Sequence, residues 1–450
     1  MQLDTMPMNA NQKIDRKALP RPEIQAEEIV PPMNDTQKKI LEIFSGVIDG
    51  MPQSITANIL ELGVSSLDAM VLIAKLADTF GCNFKIADIY ENPTVVKLEA
   101  FIAIAPKKVV FAEKDKYPVT KLQALYYRIN RQMPDDSVFN VCFTYQFAPA
   151  IDIARLGDAV TKAVDAHRAL LTHFVFEDGQ LWQIPAATDV HLIPEVLEIG
   201  DEAYDAIQTK HIHHFDLTQT TPALTARIYL TPTRRFLVLD MHHILIDGES
   251  LEILIHEIAA AYEGRALKGE AMNVCHLAEE QLAAREEEYA NCRDFFNALI
   301  PQLPKMRSLT SSKPDPNGNM MLMQPVSKPG KELDAFCNRA GVSPSVLFYG
   351  LFGLLTSSEE KLHDAVQIFT FNSRNDTRLT TTVGLLISHI PVYCHWTEEM
   401  QLVDYLRGLQ EQILHSLIFA NTAEDVMKER YAATTENLVI FQPEDTDNFE

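Results

Sequence analysis

Apolar residues recur every three or four positions between residues 33 and 104, which is the spacing of helices that bury one face. Asn34 or Asp35 can cap a first helix. Ser65-Ser66 begins a second helix, and Pro93-Thr94 begins a last one. The pattern therefore predicts a small all-α bundle. Its inner faces would carry Ile40, Leu41, Phe44, Val47, Ile48, Leu67, Met70, Val71, Ala74, Ala77, Phe80, Val95, Leu98, Phe101 and Ile102.

From Tyr117 onward the pattern changes, because short apolar runs alternate with longer helical segments. Strands are predicted over 138–146, 227–230, 234–241, 366–371 and 387–393. Helices are predicted over 151–166, 251–262, 278–299, 346–355 and 404–417. This alternation indicates an α/β class with mixed sheets.

Polar stretches separate the predicted parts of the chain. Residues 1–22 are polar and proline-containing, and 23–32 have the composition of a flexible linker. Residues 105–116 are charged, carry a proline and join the bundle to the α/β part. We therefore predict a multidomain chain with an N-terminal tail, a helical domain over 33–104, a linker, and an α/β domain over 117–450.

The charge of the chain excludes some classes of partner. The formal net charge is −23 and the pI is near 5.0. A surface this acidic disfavours nucleic acid and anionic membranes. No apolar stretch is long enough to span a bilayer, and residues 1–20 lack the apolar core of a signal peptide. We expect a cytoplasmic protein.

Six cysteines are scattered without the paired spacing of metal sites, so we expect reduced and mostly buried thiols. Cys275-His276 and Cys394-His395 are adjacent pairs. Because adjacent side chains rarely converge on one ion, no metal site is predicted.

The segment 242–248 carries the candidate chemistry of the α/β domain. His242 and His243 follow the apolar run 236–241, and an Asp247-Gly248 turn leads into a predicted helix. A histidine fixed at a strand end can act as a general base or a hydrogen-bond donor. The pattern HHxxxDG resembles the signature of the condensation domains of nonribosomal peptide synthetases, and of the wider family that contains chloramphenicol acetyltransferase.

Further segments resemble that family in the family's own order. They are 120–127, 166–174, 214–217 with 222–224, 372–374 and 383–391. Three positions depart from the family pattern: Ala166 and Leu171 stand where arginine is usual, and Ser388 replaces an asparagine. The resemblance implies a two-lobed α/β fold like that of chloramphenicol acetyltransferase.

The resemblance also implies roles for single residues. His243 would contact the attacking amine or the developing tetrahedral centre, as a proton acceptor or as a donor to the oxyanion. His242 would be structural, and Asp247 would form an architectural ion pair, with Arg374 as its hypothesised partner. Gly248 would allow the turn. For the remaining histidines we expect exposed loop positions without a ligand role: His211, His213 and His214.

The segment 62–67 resembles the phosphopantetheine attachment motif of peptidyl carrier proteins. Aligning it on Leu62-Gly63 and Leu67 places the attachment of 4'-phosphopantetheine on Ser66, at a helix N-terminus where a phosphodiester is stabilised. Val64 replaces the family's second glycine. The alternative is that the serines only cap the helix, a role that Ser65 with Asp68 would also serve. The whole stretch 33–104 resembles a four-helix carrier domain, and the attachment implies a phosphopantetheinyl transferase as a partner.

Residues 11–16 resemble the last motif of an adenylation domain. In that family a lysine at the position of Lys13 contacts the acyl-adenylate, and Gln12 replaces the usual glycine. We interpret residues 1–22 as a remnant of such a domain. The implied order is an upstream adenylation domain, then carrier, then condensation domain.

The resemblance implies nonribosomal peptide synthesis, in which Ser66 holds an aminoacyl or peptidyl thioester and a downstream carrier protein supplies the acceptor amine. Residues 437–450 resemble the strand of the family's last motif, so we expect a condensation domain incomplete at its C-terminus. Two alternatives stay open. One is a carrier and docking module with a non-catalytic condensation lobe. The other is an epimerisation domain, in which a tryptophan usually follows the Asp-Gly pair where this chain has Glu249-Ser250-Leu251.

Overall fold

A computed structural model describes residues 29–48, 54–60, 64, 66–105, 111–133, 137, 139–207, 212–300, 330–359, 362–420, 422–423, 425–427 and 438–441. The adenylation-like segment with Lys13, the loop residues Leu62, Gly63 and Ser65, and His211 lie outside these described residues.

The first described unit is a bundle of α1 (Asp35–Ser45), α2 (Ser66–Phe80), α3 (Ile86–Glu91) and α4 (Val95–Ile104). Asn34 caps α1, because its side chain accepts a hydrogen bond from the Gln37 amide at 2.9 Å. The Nδ2 of Asn34 also donates to Glu99 on α4 at 2.7 Å, which ties the two helices together. The core contains the predicted Ile40, Phe44, Val95 and Leu98. Two residues of α2 that were predicted on its inner face, Met70 and Val71, are exposed.

The next unit is the N-terminal lobe. Its elements are β1 (Tyr117–Pro118), α5 (Lys121–Gln132), β2 (Asn140–Phe147), α6 (Ile153–Ala166), β3 (His173–Glu177), β4 (Gln180–Ile184), β5 (Glu195–Glu198), α7 (Asp201–Ile207), β6 (Leu224–Leu230), β7 (Arg235–His242), α8 (Gly248–Glu263) and α9 (Val274–Leu299). The main sheet has the order β2-β7-β6-β5, in which only the β5–β6 pair is parallel. Helices α6 and α8 pack together, and their apolar residues share one core cluster with the inner face of β7.

The C-terminal lobe comprises α10 (Gly330–Ala340), α11 (Pro344–Glu359), β8 (Asp364–Asn372), β9 (Ile387–His395), α12 (Leu402–Ser416) and β10 (Leu438–Val439). Its sheet has the order β10-β8-β9, with β10 parallel to β8 and β9 antiparallel to it. The predicted mixed α/β architecture is thus present in both lobes.

A third, small antiparallel sheet of order β1-β4-β3 was not predicted. Its hairpin turns at Asp178-Gly179, where both residues have positive φ, at 52° and 80°. This is the backbone that a two-residue hairpin turn requires, and Asp-Gly is a favoured pair for it.

No single helix in the described ranges is long and apolar enough to cross a membrane, and the pair α10 and α11 meets that test only when joined, across a 91° bend. All six cysteines are free thiols, and five of them are buried. Cys142 is the half-buried exception, and burial raises the pKa of its thiol to about 11.

Candidate active site

His242 and His243 lie where β7 leaves the main sheet. Asn140 of β2 is paired with His242, and the next amide, that of His243, donates to the Phe139 carbonyl at 2.7 Å. Two turn bonds follow, from Leu245 to the His242 carbonyl at 3.0 Å and from Ile246 to the His243 carbonyl at 3.3 Å. The strand end is therefore fixed by main-chain bonds on both sides of the candidate histidine.

The side chain of His242 is a structural element. It is buried, and its Nδ1 accepts a hydrogen bond from the Ile244 amide at 3.0 Å. Burial, with a smaller contribution from the charge of His243, lowers the pKa of His242 to about 4. Because an accepting Nδ1 carries no proton, His242 holds the turn as a neutral ring.

His243 has a different environment. Its side chain is half-buried, and its ring meets that of Tyr126 on α5 edge to face, with 5.5 Å between the centroids. Its buried Nδ1 has no hydrogen-bond partner among the described residues. Within the described part of the chain, no carboxylate therefore orients this ring in the manner of a catalytic triad.

The carboxylate of Asp247 is fully engaged elsewhere. Its Oδ1 accepts from the Ser250 amide at 2.8 Å and from Arg374 at 3.1 Å. Its Oδ2 accepts from Arg374 at 3.2 Å and from the Leu386 amide at 2.9 Å. Asp247 is fully buried and Arg374 nearly so. The hypothesised ion pair is thus a two-pronged contact between the lobes, which leaves the carboxylate no lone pair for proton transfer at His243.

Gly248 was expected to allow the turn through its conformational freedom, and this explanation was wrong. Gly248 is the first residue of α8 and is not among the glycines with positive φ, so the site does not use its freedom to turn. The change of direction is made at Asp247, whose extended backbone and accepting side chain cap the helix. For the same reason α8 begins three residues before the predicted start at Leu251.

Ser250 is a site residue that the sequence did not reveal. Its hydroxyl donates to the Gly384 carbonyl at 2.8 Å and accepts from the Gly384 amide at 3.0 Å. It also accepts from Arg374 at 2.6 Å. Asp247 and Ser250 together bind the segment 382–386, which we call the strap because it joins the C-terminal lobe to the N-terminal lobe.

Two more contacts hold the strap. The Val383 amide donates to Glu270 at 2.7 Å, and the same carboxylate oxygen lies 2.9 Å from the Nδ1 of the buried His167. The hydroxyl of Thr382 donates to the Met272 carbonyl at 2.6 Å. A β-carbon on Gly384 would lie 2.9 Å from the Cβ of Val274, which shows how closely the strap is packed.

Two of the departures from the family pattern, Leu171 and Ser388, have local explanations. Leu171 is buried in the core of the N-terminal lobe, where a charged arginine side chain would need a partner. Ser388 forms a hydrogen bond with the hydroxyl of Ser373, so the two strands of the C-terminal sheet are joined next to Arg374.

The expectation for His213 was right about the loop position and wrong about the exposure. This histidine is half-buried, and both its amide and its Nδ1 bind the buried carboxylate of Asp240, at 2.6 and 2.8 Å. Asn140 donates to the other carboxylate oxygen at 3.0 Å. The segment around His213 is thus fastened to β7 two residues before His242. The neighbouring His214 is exposed, as expected.

An open cleft lies between the two lobes. It is lined by the start of α5, by the strap residues Leu385 and Leu386, and by the start of β9. The same helix α5 carries Tyr126, the ring neighbour of His243.

In the carrier unit, Ser66 is the first residue of α2, as predicted, and its side chain lies outside the described residues. The first turn of this 15-residue helix has amide groups without an acceptor inside the helix, and it provides the positive end of the dipole. These features fit a phosphodiester attached at that position.

Two family models match the chain. The phosphopantetheine attachment site matches residues 38–102, and the condensation domain matches residues 113–425. The chain belongs to the condensation-domain family. Its carrier unit and condensation domain follow one another as they do in nonribosomal peptide synthetases.

Curated relatives agree with this assignment. Bacitracin synthase 3 of Bacillus licheniformis is 27% identical over 436 residues, which cover 92% of this chain and 7% of that protein. Surfactin synthase subunit 1 of Bacillus subtilis (strain 168) is 24% identical over 437 residues, which cover 92% of this chain and 12% of that one. The chain therefore spans about a tenth of the length of these relatives.

Solved structures share the fold. The first condensation domain of the calcium-dependent antibiotic synthetase, in complex with a substrate analogue, matches with a TM-score of 0.57 at 16% identity, covering 73% of this chain and 80% of that one. The X-domain from teicoplanin biosynthesis matches with a TM-score of 0.56 at 16% identity, covering 73% and 76%.

Proposed function

We propose that this chain forms amide bonds in nonribosomal peptide synthesis, using a thioester held on its own carrier unit. The observation that carries the proposal is the division of roles at the strand end of β7. Asp247 has all its acceptor positions occupied, whereas His243 is only half-buried and its Nδ1 has no hydrogen-bond partner among the described residues. The one polar group left available for chemistry in this motif is therefore the imidazole of His243.

In the proposed reaction the acceptor amine attacks the donor thioester carbonyl. A C–N bond forms, the C–S bond breaks, and the proton lost by the amine leaves with the thiol. His243 either accepts the amine proton or donates an N–H hydrogen bond to the oxyanion. The phosphopantetheine attached to Ser66 supplies the thiol that carries the donor. Holding the donor on the same chain raises its effective concentration at His243.

The carrier unit implies modification of Ser66 by a phosphopantetheinyl transferase. We further propose that an upstream adenylation domain loads the donor and that a downstream carrier protein brings the acceptor. The contacts that hold the strap favour catalysis over a non-catalytic docking module, because Asp247, Ser250 and Arg374 form a complete network between the lobes.

The test loads Ser66 with an aminoacyl-pantetheine, adds an aminoacylated acceptor carrier and measures all intact masses. Dipeptide on the acceptor, absent in Ser66→Ala and in His243→Ala, is the expected result. Loading without transfer would support the docking module instead. Solvent deuterium entering the donor's α-position would support epimerisation. No loading of the parent chain would overturn the assignment of Ser66.

A further inference from the structure

The carrier unit and the condensation domain are joined by a short stretch of antiparallel main-chain pairing. The Ile86 amide donates to the Asn375 carbonyl at 2.8 Å, and the Thr377 amide donates to the Phe84 carbonyl at 2.8 Å. Lys85 and Asp376 lie opposite each other between these two bonds. The Phe84 amide adds a third bond, to the Thr377 hydroxyl at 3.0 Å. The carrier segment 84–86 is thus added to the C-terminal lobe as a strand would be.

An aromatic side chain accompanies the pairing. Tyr90 of α3 packs against the apolar cluster of Ile390, Leu414 and Leu417, and its ring meets that of His415 at a centroid distance of 6.0 Å. Its hydroxyl is buried and has no hydrogen-bond partner among the described residues. Tyr90 also packs against the core of the carrier unit, so its apolar ring bridges the two domains.

The receiving segment 374–378 is held firmly on its own side. Asn375 donates to the Leu417 carbonyl at 3.2 Å. Arg378 binds Asp376 at 2.6 Å and Glu280 of α9 at 2.6 Å. Arg374, at the other end, binds Asp247. Because neighbouring residues fix both ends, the carbonyl of Asn375 and the amide of Thr377 are presented as a preformed edge.

We propose that segment 375–377, with the apolar cluster beside it, is the surface on which the condensation domain receives its donor carrier. The carrier is recognised through the main chain of residues 84–86, by strand addition, with Tyr90 as the anchor. The partner that fits is a carrier domain with an extended segment before its third helix and an aromatic residue on that helix. This proposal rests on the proposed function, because it assigns the surface a role in delivering the donor. The docking itself can be measured without catalysis.

The first experiment follows amide hydrogen exchange at Phe84, Ile86 and Thr377 in the full chain, since these three amides donate across the contact. Thr377→Val removes the acceptor of the Phe84 amide and leaves the carrier unit unchanged, so we expect these amides to exchange about fivefold faster. Tyr90→Ser should accelerate them on the order of tenfold or more. Tyr90→Phe removes a hydroxyl without a partner and should slow their exchange.

Val96→Ser is the matched control, because Val96 is an exposed apolar residue on α4 of the same unit. Exchange at the three amides should stay unchanged in it. Two results would overturn the docking surface. One is unprotected exchange of these amides in the parent chain, and the other is exchange in Thr377→Val and Tyr90→Ser at the same rate as in the parent chain.

The second experiment measures a single turnover of donor transfer to an acceptor carrier in the same proteins. The rate should fall in Thr377→Val and Tyr90→Ser in step with the loss of amide protection, and stay constant in Val96→Ser. Loss of protection with an unchanged rate would show that the surface does not serve delivery, which overturns the proposal. Intact protection without any transfer in the parent chain would instead overturn the proposed function.

Discussion

Arg374 of the C-terminal lobe donates hydrogen bonds from both terminal nitrogens to the buried carboxylate of Asp247 in the N-terminal lobe, at 3.1 and 3.2 Å. Because the two residues are far apart in sequence, their contact links the two lobes of the domain. The same guanidinium also binds the Ser250 hydroxyl and the Thr382 carbonyl. The acid of the HHxxxDG pattern thus has a structural role, four residues after the histidine that is left for chemistry.

Asp247→Ala should destabilise the chain by about 3–5 kcal/mol, because it leaves the buried guanidinium of Arg374 without its partner. Urea unfolding followed by circular dichroism measures this. Glu177→Ala is the control, since its pair with Lys116 is half exposed and should contribute at most about 1 kcal/mol. A fully stable Asp247→Ala protein that has lost all transfer activity would contradict the structural role.

His242 should make the folded state sensitive to mild acid. Its pKa falls from an ordinary 6.5 to about 4 on folding, so the unfolded chain binds the proton more readily. The stabilisation that neutral His242 contributes is fully present above pH 6.5, and it is lost as the pH falls from 6.5 towards 4. The loss should reach roughly 3 kcal/mol.

The check is urea unfolding at several pH values, for the parent chain and for His242→Gln. The glutamine variant should be less stable at neutral pH and should lose less stability between pH 6.5 and 4. Parallel pH profiles for the two proteins would refute the assignment to His242.

Gly384→Ala should loosen the strap, because its new methyl would lie 2.9 Å from the Cβ of Val274. We expect a loss of about 1–3 kcal/mol in unfolding free energy, as for other overpacked sites. Gly157→Ala and Gly408→Ala are matched controls in helices, with open space around the added carbon, and should be neutral or stabilising by up to about 1 kcal/mol.

Val274→Gly tests the cause of that loss, because it removes the Cβ that the added methyl would meet. Combined with Gly384→Ala, it makes room for the added methyl, so the double variant should be more stable than the sum of the two single losses predicts. Simple additivity would show that the strap is disturbed by something other than this contact.

Asp240→Asn should cost about 2 kcal/mol, because its side chain has one acceptor oxygen where the carboxylate uses two, one for His213 and one for the Nδ2 of Asn140. Thermal unfolding should show a lower midpoint in this variant and in His213→Ala. His214→Ala is the neighbouring control, since His214 is exposed, and its midpoint should not move. Equal effects at His213 and His214 would restore the original expectation of two exposed loop residues.

The main elements could be predicted because their apolar periods are long and uninterrupted. Each predicted strand and helix of the condensation domain is present. Their ends differ from the prediction by a few residues where a helix cap or a hydrogen bond between strands fixes the boundary. The start of α8 is such a case, because the side chain of Asp247 rather than the apolar pattern fixes the first turn. The hairpin at Asp178-Gly179 carried a readable turn signal, but its strands are short and its partner β1 is distant in sequence.

The contacts between distant parts of the chain that build the site could not be predicted from the apolar pattern. Ser250 looks like an ordinary residue in the first turn of a helix, and its importance comes from Gly384, which lies far along the chain. His213 looked like one of several loop histidines, and only the fold brings Asp240 beneath it. The pair of Asp247 and Arg374 could be hypothesised because family segments had placed both residues in conspicuous motifs.

The strap has a consequence for recombining synthetases. On its own side it offers the amides of Val383, Gly384 and Leu386, so the N-terminal lobe recognises backbone and the absence of a side chain at one position. Chimeras that join lobes from different parents should therefore tolerate wide sequence divergence in this stretch. The requirements that remain are few: two acids and a serine on one parent, and an arginine, a threonine hydroxyl and a glycine on the other.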